Sequence, residues 1–150
     1  MADKTNMADI LQDLAKTCRD GEKGYKEAAD HAKSSELKSH FLQISSERGR
    51  FASQLESALA DVSKDVTRTE GHAVAAVHRA WIDIKEALGG GDHAILGWLE
   101  QGDDYAKGKY EKALRESLPE NVMALVRQQS QSILRDHDDI RSRRDSYKAA

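Results

Sequence analysis

Residues 64 to 91 constrain this chain more than any other stretch. They put close to thirty residues between two pairs of long helix-patterned segments, while within each pair the connection is only a few residues. A short turn makes two helices antiparallel neighbours, whereas a long link lets the chain cross the length of a bundle and begin the next helix in the direction of the last. Two antiparallel pairs joined by one crossing connection is the wiring this spacing predicts.

Hydrophobic periodicity fills in the elements. The first segment, over about residues 6–32, places Met7, Leu11, Leu14, Cys18, Gly21, Tyr25, Ala28 and Ala32 on one stripe by steps of three and four, the spacing of a helix with one buried face. Asn6, with Asp9 three residues on, supplies its N-terminal cap. The second, over about 35–62, runs through Leu37, Phe41, Ile44, Arg48, Phe51, Leu55, Ala58 and Val62. One member of that stripe is an arginine. The third, over about 92–116, turns Ile95, Leu99, Gly102 or Asp103, Ala106, Tyr110 and Ala113 inward; the fourth, over about 119–147, turns in Val122, Val126, Gln129, Ile133, His137 and Ile140. Ser117-Leu118-Pro119-Glu120 has the S-x-x-E form of a capping box with a proline in the first turn, and Asp92 is the cap expected after the glycine run Gly89-Gly90-Gly91. Inside the crossover, Val74, Val77, Trp81, Ile84 and Leu88 predict a short helix over about 72–88. Its apolar face belongs on the bundle's flank, over Trp98 and Tyr105. The glycine run has no preceding strand, so it is a turn and not a phosphate cradle.

Composition agrees. Across 150 residues, charged side chains make up 33%, aromatics 5%, and there is one proline, as expected of long solvent-facing helices in one domain and not of a sheet protein. The expected fold is an all-α four-helix bundle, spanning 1–150 as a single unit. A net charge of -3 gives no pull toward nucleic acid, and the basic run Arg141 to Arg144 is broken by Ser142 and followed by Asp145. No apolar run reaches membrane-span length and the first residues lack a signal peptide's apolar core. Cys18 stands alone, which excludes an internal disulfide and fits a reducing compartment. The expectation is a cytoplasmic protein with no nucleic-acid or membrane partner, open to forming a homo-oligomer.

Counting levels at about 1.5 Å per residue from the two short turns brings Glu22, Glu47, Arg48, Asp103 or Asp104, Asp136 and His137 to one slab at mid-height. Bundles that hold two metals use that slab: a Glu from each of two helices and Glu-x-x-His from each of the others, giving carboxylate oxygens and imidazole nitrogens. Here the second helix offers Glu47-Arg48-Gly49-Arg50, with arginine in place of the histidine, and the fourth offers Leu134-Arg135-Asp136-His137, with leucine in place of the carboxylate. Arginine stays protonated and cannot ligate. The leading expectation is an ion-pair network in which Arg48 neutralises Glu22 and Asp103, with no cofactor and no catalytic residue. The alternative is a single divalent transition metal on Glu22, Glu47, Asp103 and His137, with Glu100 as a spare carboxylate.

The chain also resembles a bacterial family of ferritin-like four-helix-bundle proteins classed as a domain of unknown function. The likeness rests on Cys18-Arg19-Asp20-Gly21-Glu22 with Tyr25, His78-Arg79-Ala80-Trp81, Glu100-Gln101-Gly102-Asp103-Asp104 with Tyr110, Leu118-Pro119, and His137-Asp138 with Ile140-Arg141. It implies a ferritin-like fold and brings no established activity. The functional expectation is a non-catalytic bundle acting through its surface or by self-association, with a link to stress physiology suggested at the level of the family. A redox or iron-handling protein with a degenerate site is the alternative.

Overall fold

The computed structural model describes residues 4–63 and 90–148. Four helices account for nearly all of them: α1 (Lys4–His31), α2 (Ser35–Ser63), α3 (Gly91–Leu114) and α4 (Glu120–Lys148). The predicted crossover helix, with Trp81 and its neighbours, lies outside the described residues.

Directions follow from cross-helix contacts. Asp13 near the start of α1 meets Lys109 near the end of α3 at 3.0 Å, and the backbone N–H of Lys33, just past α1, donates to Asp92 at the start of α3 at 2.8 Å, so α1 and α3 are antiparallel. Glu36 with Arg143 and Gln54 with Gln129 show the same for α2 and α4. Helices α2 and α3 therefore run parallel, as the long connection predicts, and they face each other across the bundle diagonal.

The buried side chains are those of the helical stripes. They form two apolar clusters. One gathers Leu11, Leu14, Cys18, Phe51, Leu55, Tyr110, Val126 and Ile133; the other gathers Tyr25, Ala28, Leu37, Phe41, Ile44, Ile95, Leu99 and Ile140. Arg48, Asp103 and His137, all essentially out of solvent, occupy the level between them. The core is thus a sandwich of oil, charge and oil, with the charged layer at mid-height.

The helix ends differ from expectation in three places. Helix α1 starts at Lys4, so Asn6 sits inside its first turn and not at the cap. Helix α4 starts at Glu120, and Pro119 offers its carbonyl to Met123 N–H at 2.8 Å, so Pro119 stands at the N-cap and Glu120 at the first helical position, two short of the place a capping box needs. Asp92 does not cap its own helix. Gly90 is the N-cap residue there, without a side-chain cap bond, and Asp92 instead accepts the N–H groups of Lys33 and Ser34 in the α1–α2 turn. Ser34 Oγ in turn accepts Leu37 N–H, so one carboxylate fastens α3 to the cap of α2. Gly91 enters α3 at φ +76°, a backbone that favours glycine.

Candidate functional site

At the charged layer every helix contributes at least one group. Arg48 from α2 is 1% exposed. Its Nη1 donates to Asp103 Oδ1 of α3 at 2.9 Å, and its Nη2 to Asp136 Oδ2 of α4 at 3.2 Å. From α1, the Tyr25 ring lies 5.3 Å from the guanidinium carbon, and the Tyr25 hydroxyl donates to Asp103 Oδ2 at 2.5 Å. The guanidinium is therefore gripped by two carboxylates and an aromatic face, a set of partners that suits its planar fork.

Burial opposes the charge on Arg48, and the adjoining Asp103, Tyr25 and Asp136 overcome it, so the group stays protonated with its pKa well above the ordinary value. Burial raises the Asp103 carboxyl above the usual range against the pull of Arg48. Asp136 is pushed up to about 7, by burial first and then by a hydrogen bond with Glu47. Two carboxyl groups can share a hydrogen bond only when one holds a proton. Glu47 thus belongs to the layer through Asp136.

The other sequence candidates are placed elsewhere. Glu22 does not reach Arg48. It follows Gly21, the residue that faces the guanidinium, and one helical step turns it away, where it takes Arg19 at 2.9 Å on a side chain 36% exposed. Arg19 binds Glu56 as well, with both ends on the surface. Arg50 is exposed on the other side of α2 and lies over the Phe51 ring. Leu134, at the position where the metal motif would carry a carboxylate, is 42% exposed and faces away from the core.

His137 is buried at the same height on the α3–α4 seam. Its Nδ1 is 3.1 Å from Asp138 Oδ1, and its Nε2 is 2.6 Å from Asp104 Oδ1 and 4.0 Å from Glu100 Oε2. Glu100 is also bound by Arg144 and, at 3.3 Å, by Arg141. Glu22, Glu47, Asp103 and His137 therefore do not meet as one set. Among the described residues the histidine and carboxylates that do gather with ligand atoms within 4.8 Å of one another are Glu100, Asp104 and His137. Sequence counting left Asp103 and Asp104 interchangeable. They differ by one helical step, which sends Asp103 to Arg48 and Asp104 to His137.

A second polar chain crosses the apolar cluster below. Tyr110 hydroxyl donates to Gln129 Oε1 at 2.7 Å, and Gln129 Nε2 reaches Phe51 O and Gln54 Oε1. With its hydrogen committed to Gln129, Tyr110 can accept the Cys18 thiol, whose Sγ lies 3.0 Å away. Burial raises the Cys18 pKa. The thiol is a core residue, as its place on the stripe predicts, and among the described residues nothing prepares it as a nucleophile. The Tyr25 hydroxyl and the Tyr110–Gln129 link were not anticipated from sequence; the only signal is that each lies on an inward stripe, where a buried polar tip needs a partner.

These helices match a known family. A family model for a domain of unknown function, DUF2383, covers residues 6–116. The chain belongs to that family. No curated protein matches it. The DUF2383 match takes in Tyr25, Arg48, Asp103, Glu100 and Asp104, while Asp136 and His137 stand on α4 beyond the matched stretch. Among the described residues, no helix is long and apolar enough to cross a membrane.

Proposed function

We infer that the protein is a non-catalytic, ferritin-like helical bundle of the bacterial cytoplasm that acts through its surface or by self-association, its mid-height charge supplied by Arg48. One observation carries the reading: the guanidinium sits where metal-binding bundles gather their ligands, and its Nη1 and Nη2 bind Asp103 and Asp136. Those residues do not fit a pair of metal ions. Asp103 has one oxygen on Arg48 and the other on Tyr25, and a dication beside a fixed guanidinium is repelled strongly in a dry interior. Among the described residues no side chain at this layer is set up to transfer an acyl or phosphoryl group, because such chemistry needs an accessible nucleophile with a base beside it.

Elemental analysis joined to light scattering tests this. The expected result is no more than one transition-metal ion per chain, its amount unchanged by Asp103→Asn, no oxidation of ferrous iron by the purified protein, and a defined mass in solution that the substitution Arg48→Met does not convert into an iron-loaded form. Two iron or manganese ions per chain, lost together on Asp103→Asn, would establish the redox reading in its place.

A further inference from the structure

The seam between α3 and α4 carries a second arrangement that the Arg48 network does not use. Glu100 and Asp104 lie four residues apart, on one face of α3. His137 of α4 is 3% exposed, and its Nε2 is directed at them. That nitrogen has no hydrogen-bond partner although Asp104 Oδ1 is only 2.6 Å away. The contact is close without being aligned as a hydrogen bond.

Asp138 Oδ1 lies 3.1 Å from Nδ1 on the far side of the ring, where a carboxylate can accept an N–H and fix the ring with Nε2 turned toward Glu100 and Asp104. A carboxylate behind a histidine, holding its far nitrogen toward an oxygen pair, is how proteins orient an imidazole on a metal. With donor distances near 2.0 to 2.2 Å, two ligand atoms on one ion stand about 3 Å apart. Here Nε2 is 2.6 Å from Asp104 Oδ1 and 4.0 Å from Glu100 Oε2, so movements of under about 1 Å would seat one ion between them.

We propose that Glu100, Asp104 and His137 form a mononuclear site for a divalent transition metal, with Asp138 positioning the histidine. Two oxygens and one nitrogen suit zinc, manganese or ferrous iron, and the exposed side of Asp104 leaves coordination positions for water. Charge supports a cation: Glu100, Asp104, Asp138 and Asp145 outnumber Arg141 and Arg144, which contact two of those carboxylates. Arg141, 59% exposed, can swing into solvent when the ion arrives. The two arginines compete with the metal for Glu100, so they lower its affinity. This site is independent of the Arg48 layer, whose network it leaves intact.

Calorimetric titration of chelator-treated protein with zinc and with manganese tests the site, using wild type, Asp104→Asn, His137→Asn and the double variant Arg141→Gln/Arg144→Gln. Asp104 is exposed, so Asp104→Asn leaves folding alone while removing a ligand. The expected result is one ion per chain, at least tenfold weaker binding in Asp104→Asn, loss of binding in a His137→Asn variant shown to be folded by circular dichroism, and tighter binding in the arginine double variant. Binding that Asp104→Asn leaves unchanged, or no binding up to millimolar metal, would overturn the proposal and leave His137 as a buried side chain packed between Asp138 and Asp104.

Discussion

Arg48 and Asp103 meet across the bundle diagonal, Nη1 to Oδ1 at 2.9 Å, with side chains 1% and 0% exposed. This is the costliest kind of pair to break. Taking both charges from water is offset only by their mutual contact and by Tyr25 and Asp136 on either side, so deleting one partner strands the other. Arg48→Met is expected to destabilise the fold by about 3 to 5 kcal/mol in urea unfolding. Adding Asp103→Asn to that variant recovers part of the loss. Adding Glu22→Gln recovers none, since Glu22 pairs with Arg19. Rescue by the Glu22 change instead would place the buried partner on the wrong helix.

The height of this layer was legible in the sequence, but its facing was not. Counting from two short turns sets the level of a residue along a helix, because rise per residue is fixed. Which way a side chain points at that level turns by about 100° per residue, and a small error in phase changes the neighbour. Stripe members such as Ile133, Gln129 and Ile140 are buried as expected because apolar spacing fixes their phase. Glu22 and Asp104 lie one step off the stripe at the right height, so level alone could not separate them from Gly21 and Asp103. Tyr25 shows the same limit from the other side: its burial follows from the stripe, but its bond to Asp103 depends on a neighbour from another helix.

Gly21 marks where α1 comes close to the guanidinium. A Cβ there would lie 3.1 Å from Arg48 Nη1, and Arg48 is held by two carboxylates and cannot yield. Gly21→Ala gains about 1 kcal/mol of helix propensity but is expected to lose about 1 to 3 kcal/mol to crowding, for a net loss or at best no gain in thermal unfolding. Gly108 on α3 is the control, since a Cβ there meets nothing within 4 Å. Gly108→Ala should stabilise by about 0.5 to 1 kcal/mol. Equal gains at both positions would show that Arg48 moves freely.

Cys18 is expected to resist thiol reagents while the bundle is folded. It is 1% exposed, its Sγ is 3.0 Å from the Tyr110 hydroxyl, and burial raises its pKa, so little thiolate forms and little reagent reaches it. Modification by an aromatic disulfide reagent should track the denaturant dependence of unfolding. Rapid labelling in native buffer, at the rate of a free thiol, would contradict the packing around Tyr110.

Acid should tighten the bundle over part of its range. Asp136 is raised from an ordinary 3.8 to about 7, by burial first and then by its bond to Glu47, with Arg48 pulling the other way. Between those values the folded chain keeps a proton that the unfolded chain has released. Linkage then makes stability fall as pH rises through that window, the contribution being complete below the lower value and gone above the upper one. At about 1.4 kcal/mol per tenfold change in proton affinity, the full swing is on the order of 4 kcal/mol. Asp103, also raised by burial, adds in the same direction. Glu47→Gln removes the carboxyl that Asp136 shares its proton with, so Asp136 should ionise at lower pH and the slope should flatten. Urea midpoints measured from pH 4.5 to 8.5 are expected to decline for the wild type and to decline markedly less for Glu47→Gln. A wild-type midpoint that rises across this range, or a slope the substitution does not change, would show that the bond to Glu47 does not hold the proton on Asp136.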